Sequence, residues 1–128
     1  MQANLDVASA SSSRPGQIGE RVVDAFLAHW DAAEGRATFA AFFRGAMTNE
    51  RVARMLREFI QTELPRRLGA RIPGLGSSCR VGLVATQLMG LAVARYVAWV
   101  DSVVKASRQQ LVGSIGPTIT RYLVGQKA

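Results

Sequence analysis

Histidine, cysteine and lysine are scarce in this 128-residue chain, which holds one His, one Cys and two Lys. A single cysteine, Cys79, closes no internal disulfide and suits a reducing compartment. Metal binding needs several convergent ligands, and one His with nine dispersed carboxylates supplies no such set, so no metal or cofactor is expected. His29 lies two residues from Asp31, a spacing that does not bring side chains together on a helix. A Cys79–His29 pair has no third group to orient it and no oxyanion site. Gly74 and Gly76 follow no strand and precede no Lys-Ser/Thr, which excludes a phosphate loop of the usual kind. The chain therefore does not read as an enzyme. It also lacks a basic-then-apolar leader with a small-residue cleavage site. The longest charge-free run of its most apolar segment extends from Val81 to Ala94 and stops at Arg95, short of the roughly 18 to 20 residues that span a bilayer. The expected location is the cytoplasm, away from membranes.

Strand-like alternation is scarce as well, and aromatics make up only 7%. With 48% hydrophobic and 20% charged residues, the composition is that of a globular domain and not a disordered one. One domain of this length buries roughly two-thirds of its unfolded surface and needs no staples. The net charge of +7 comes from fourteen Arg and the two Lys. Arg51, Arg54 and Arg57 share one segment, and Arg66, Arg67 and Arg71 follow it, so the cations are scattered. A solvated helix face accounts for this better than a nucleic-acid surface, which would bind any duplex in a strongly salt-dependent way.

Along the chain, residues 1–16 read as a disordered or weakly helical lead-in, rich in Ser and ending at Pro15-Gly16. The folded domain is expected over 17–125. Ile18, Val22, Val23, Phe26, Leu27 and Trp30 form one face of a first helix, Gln17 to Trp30. Asp31 and Glu34 have capping-box spacing for a second helix, with Phe39, Phe42, Phe43, Ala46 and Met47 on its buried side. Thr48 is placed to cap a third helix, with Val52, Met55, Leu56, Phe59 and Ile60 inward. Pro65 kinks or ends it, and Ile72 to Gly76 is a loop. A fourth helix, Ser78 to Trp99, is apolar nearly all round and must be covered on more than one side. Ser107 and Gln110 make another capping box, opening a last helix that Pro117 bends and Gly125 stops. The fold class is all-α, a bundle of about five helices.

Two patterns bear on function. Phe26, Trp30, Phe39, Phe42, Phe43, Met47, Met55 and Phe59 all fall on the first three helices. Together with parts of the fourth helix they line either an apolar cavity, in which Gln87, Arg95 or His29 would orient a ligand, or an ordinary filled core. On the fourth helix Gly82, Thr86, Gly90, Ala94 and Ala98 form a row of small residues spaced by four. Such a groove accepts another helix closely, either from the same chain or from a two-fold partner.

The segments Ile18-Gly19-Glu20-Arg21-Val22-Val23, with Phe26-Leu27 and His29-Trp30-Asp31, resemble the first regulatory-domain helix of a branch of the TetR family of transcription regulators. Arg80 to Val97 is similar to the penultimate helix of that branch, and Gly116-Pro117-Thr118-Ile119 with Arg121-Tyr122-Leu123 to its last. The resemblance implies an effector-binding and dimerisation domain whose last two helices form a four-helix bundle with those of a mate. It implies a small hydrophobic effector bordered by Phe26, Trp30, Phe43, Met55, Phe59 and Gln87. It also implies a homodimer interface at Thr86, Gly90, Leu111, Ile115, Ile119 and Tyr122. A helix-turn-helix module would need about fifty residues before Gln17. Only sixteen precede it, so sequence-specific DNA binding by this chain alone is not expected. The alternative is a helical interaction protein that dimerises with an intact relative and modulates it.

Overall fold

The computed structural model describes residues 17–69 and 79–124, and these are helical, with no strand among them. The helices are α1 (Ile18–Trp30), α2 (Ala33–Thr48), α3 (Glu50–Glu58), α4 (Leu64–Gly69), α5 (Arg80–Ala92), α6 (Asp101–Lys105) and α7 (Arg108–Val124). A π-helical turn, Phe59–Glu63, joins α3 to α4, and a second, Val93–Val97, extends α5. The expected lead-in, the loop Ile72 to Gly76 and the stop at Gly125 lie outside the described residues.

The antiparallel pair α1/α7 is the most extensive helix contact. An added Cβ at Gly19 would collide with the Gly116 carbonyl and the Thr120 amide, and one at Gly116 would lie 2.6 Å from Glu20 Cγ and 2.8 Å from its Cα. The two backbones meet with no side chain between them, which is possible only because both residues lack one. Thr120 completes the crossing: its Oγ1 accepts from the Gly19 N–H at 2.7 Å and donates to Glu20 Oε1 at 3.1 Å. Gly19 lies in the first turn of α1, where backbone donors have no intrahelical partner. Gln17, the residue before the helix, makes no side-chain cap, so α7 caps α1 from across the crossing. Farther along the pair Arg108 Nε lies 3.0 Å from Asp24 Oδ1.

Around this pair the apolar stripe of α1 is buried as its periodicity requires, with Val22, Val23 and Leu27 essentially inaccessible. Leu111, Ile119 and Leu123 of α7 and Val84, Leu88, Leu91 and Ala92 of α5 join the same core. α2 and α3 are held more loosely. Of the expected inward residues Phe39 alone is buried on α2, Met47 is 71% exposed, and α3 buries none of its side chains.

Three local expectations are revised. The Asp31/Glu34 capping box is not made: α2 begins after Ala32 without a side-chain cap, because Asp31 is engaged elsewhere. Asn49, not Thr48, caps α3, accepting from the amides of Arg51 and Val52, while Thr48 donates back to the Arg44 carbonyl. Pro65 does not end its helix. The ladder widens ahead of it, Leu64 N–H bonding to the Phe59 carbonyl, and the helix runs on. The Ser107/Gln110 box is formed in both directions, at 3.0 and 2.8 Å.

A close crossing and an open position make opposite demands on a methyl group. Gly19→Ala should destabilise the fold by about 3 kcal/mol, since backbone has to move to admit it. Gly113, whose added Cβ would meet nothing within 4 Å, should gain up to about 1 kcal/mol as Ala. Urea unfolding of the two variants beside the parent checks both signs.

Candidate functional site

α1, α2, α3/α4 and α5 line a half-open cavity of about 740 Å³, to which no residue of α7 contributes. Phe26, His29 and Trp30 form one wall, and Thr38, Phe39 and Phe42 of α2 a second. Met55, Leu56, Phe59, Ile60 and Leu64 make the third, and Ala85, Leu88 and Met89 of α5 the fourth. Ala32, Glu34 and Gly35 stand at the α1–α2 turn. The turn is tight: a Cβ on Gly35 would come within 2.6 Å of the His29 carbonyl oxygen.

The aromatic wall is ordered by edge-to-face packing. Trp30 lies edge-on to Phe39 at 5.4 Å between centroids, His29 edge-on to Trp30 at 4.5 Å, and Phe26 tilted against Trp30 at 6.4 Å. Tyr96 backs Phe39 at 6.0 Å. Burial lowers the pKa of His29 below its ordinary value.

Directly behind the wall, Asp31 holds the turn. Its carboxylate accepts a bidentate pair from Arg95 (2.9 and 3.0 Å) and a 2.6 Å hydrogen bond from the Tyr96 hydroxyl. Arg95 also donates to the carbonyls of Val103 and Ala106 at the end of α6, at 2.8 and 2.9 Å. One guanidinium thus ties the end of α1, the π turn after α5, and α6 together. Burial alone would raise the Asp31 pKa, but the hydrogen bonds from Arg95 and Tyr96 and the nearby guanidinium charges hold it below the ordinary 3.8. Burial, and then donation to that carboxylate, push the Tyr96 hydroxyl well above its usual range.

Of the residues expected around an effector, Phe26, Trp30, Met55 and Phe59 line the cavity. Phe43 does not: it stacks behind Phe39 at 6.2 Å, and Phe42, one residue earlier, takes the lining position. Gln87 lies on the flank of α5 away from Ala85, Leu88 and Met89. His29 lies in the wall, whereas Arg95 is spent on Asp31 and α6.

Of the residues expected at a mate interface, Thr86 and Gly90 are exposed on the outward side of α5, and Ile115 and Tyr122 are half-buried on α7. Leu111 and Ile119 are not at the surface. Ile119 is wholly inaccessible within its own chain and Leu111 nearly so, because the apolar stripe of α7 is used first against α1 and α5. At Gly82 and Gly90 an added Cβ would meet nothing within 4 Å, so the small-residue row is uncovered there by the described residues. The lining residues that the sequence reading did not name as such were Ala32, Glu34, Gly35 and Thr38 at the start of α2, Leu56, Ile60 and Leu64 on the third wall, and Ala85, Leu88 and Met89 on α5, the helix expected to supply part of the wall. The last three carried a usable signal, since they share one face at helical spacing.

Residues 16–123 match the family described as Tetracyclin repressor-like, C-terminal domain. The chain is also similar to the crystal structure of a TetR-family regulator from Streptomyces coelicolor A3. The two are 32% identical, with a TM-score of 0.66, and the match covers 94% of this chain and 80% of that one. Among curated proteins no relative matches by sequence.

Losing one partner of the Asp31–Arg95 pair strands the other in a mostly buried setting, with side-chain exposures of 26% and 13%. Arg95→Met should therefore cost about 2 to 4 kcal/mol at neutral pH. Because the folded Asp31 pKa is depressed, its contribution is complete above the unfolded value near 3.8 and is lost as pH falls through the lower folded value. The gap between parent and Asp31→Asn, followed by urea unfolding at stepped pH, should narrow only in that acid range.

Proposed function

The chain belongs to the tetracyclin repressor-like C-terminal domain family, and from that premise we propose that it is the effector-sensing and homodimerising domain of a transcriptional regulator. The observation that carries this reading is the 740 Å³ cavity walled by aromatic and thioether side chains, a volume suited to a small hydrophobic molecule. Its role is regulatory, not catalytic, and its setting the cytoplasm. No helix among the described residues is long and apolar enough to cross a membrane.

The mate surface in this reading is the outward side of α5 with the adjoining side of α7, revised to Leu83, Thr86, Gly90, Ile115 and Tyr122. Leu83 is 38% exposed and the others are small or half-covered, which suits close approach of a two-fold partner. α5 therefore carries the effector on one side and the mate on the other. An effector shifts the pair between two packings only by the free energy with which it prefers one of them. Ala85, Leu88 and Met89 are the residues through which that preference reaches α5.

Light scattering combined with titration of the neutral dye N-phenyl-1-naphthylamine tests both halves. The parent should have the mass of two chains on dilution and bind one dye per chain. Gly90→Arg projects a long side chain outward without touching its own core, so it should be monomeric, helical and still able to bind dye. A monomeric parent would contradict the dimer, and absence of saturable dye binding would contradict the effector cavity.

A further inference from the structure

We propose that the cavity selects a lipophilic organic cation, an aromatic or fused-ring body carrying one ammonium-type charge. The inference rests on the reading of the cavity as an effector site and adds the class of the effector. Its first support is the charge of the wall. Although the chain carries fourteen Arg and two Lys, none of those among the described residues lines the cavity, and among the same residues the one acidic residue that does is Glu34. Burial lowers the pKa of His29 below its ordinary value, which disfavours a positive charge there.

The second support is the aromatic content of the wall. Phe26, Trp30, Phe39, Phe42 and Phe59 all contribute to it, with Phe42 and Phe59 the half-buried ones, and an aromatic ring reached by a cation out of bulk water attracts it. Met55 and Met89 add polarisable sulfur, which tolerates varied ring shapes.

One feature favours the opposite charge. α2 starts at the turn beside the cavity without a side-chain cap, so the amides of its first turn present a partial positive charge. A helix N-terminus is equivalent to roughly half an elementary charge, whereas the Glu34 carboxylate in that same turn carries a whole one. The carboxylate prevails, and the aromatic rings of the wall act in the same direction.

Three probes of one shape and three charges separate these effects: 1-pyrenylmethylammonium, 1-pyrenylmethanol and 1-pyrenecarboxylate, each followed by fluorescence titration of the full chain at pH 7. The ammonium should bind about tenfold more tightly than the carboxylate, with the alcohol between them. Glu34 is exposed, so Glu34→Gln should fold normally; it should weaken the ammonium several-fold and leave the alcohol unchanged. Should the alcohol bind as well as the ammonium, or Glu34→Gln alter neither, the charge preference is wrong and the effector cavity stands. Tightest binding by the carboxylate would overturn the proposal in favour of the α2 N-terminus. Failure of all three on a folded parent would overturn the effector reading itself, and this inference with it.

Discussion

The contact on which the rest of the molecule depends is the crossing of α1 and α7 at Gly19, Gly116 and Thr120. Two helix backbones approach without an intervening side chain, and a hydroxyl from one caps the first turn of the other. This fixes the height and rotation of α1 relative to α7. Phe26 and Trp30 follow Gly19 at seven and eleven residues, so they occupy the same helix face about two and three turns on. Once Gly19 is seated on α7, those two rings have one direction to point, and α2 and α3 close around them.

A second constraint acts at the other end of α1. Asp31 is taken from the start of α2 by Arg95 and Tyr96, which leaves α2 without a side-chain cap. The same Arg95 satisfies carbonyls at the end of α6, so one side chain links the turn beside the cavity, the exit of α5 and α6. Trp99, just beyond, has a left-handed backbone (φ 57°), which is uncommon for a bulky residue. It closes the helix where Val100 N–H returns to the Ala94 carbonyl at 2.8 Å. α5 is thus anchored at its end, apolar on the cavity side and small on the outer side.

The all-α class and the rough positions of the longer helices were legible because apolar residues recur at three and four, and the Ser107/Gln110 box was legible because both partners are local. What eluded sequence reasoning was competition between partners. The Asp31/Glu34 spacing is as good as that of Ser107/Gln110, but an arginine sixty-four residues away outbids it. α6 has five residues, too few to show a periodicity. Phe42 and Phe43 are equally apolar and differ by 100° around the helix, so only the packing of Phe39 decides which of them reaches the cavity. On α7 the single wide stripe was assigned to a mate, whereas a chain this small uses such a stripe first for its own core, which takes in Leu111 and Ile119 and leaves Ile115 and Tyr122 at the edge. The Gly19–Gly116 contact spans ninety-seven residues, and no local pattern announces it.

The central claim is that the cavity and the outer face are two sides of α5. Hydrogen exchange across the described helices, with and without saturating N-phenyl-1-naphthylamine, tests it most directly. The account predicts slower exchange over Arg80–Ala92 and in α2 and α3, with the amides at the α1–α7 crossing unchanged because no residue of α7 lines the cavity. Protection that leaves α5 untouched would contradict it, since the ligand would then have no route to the surface proposed for the mate.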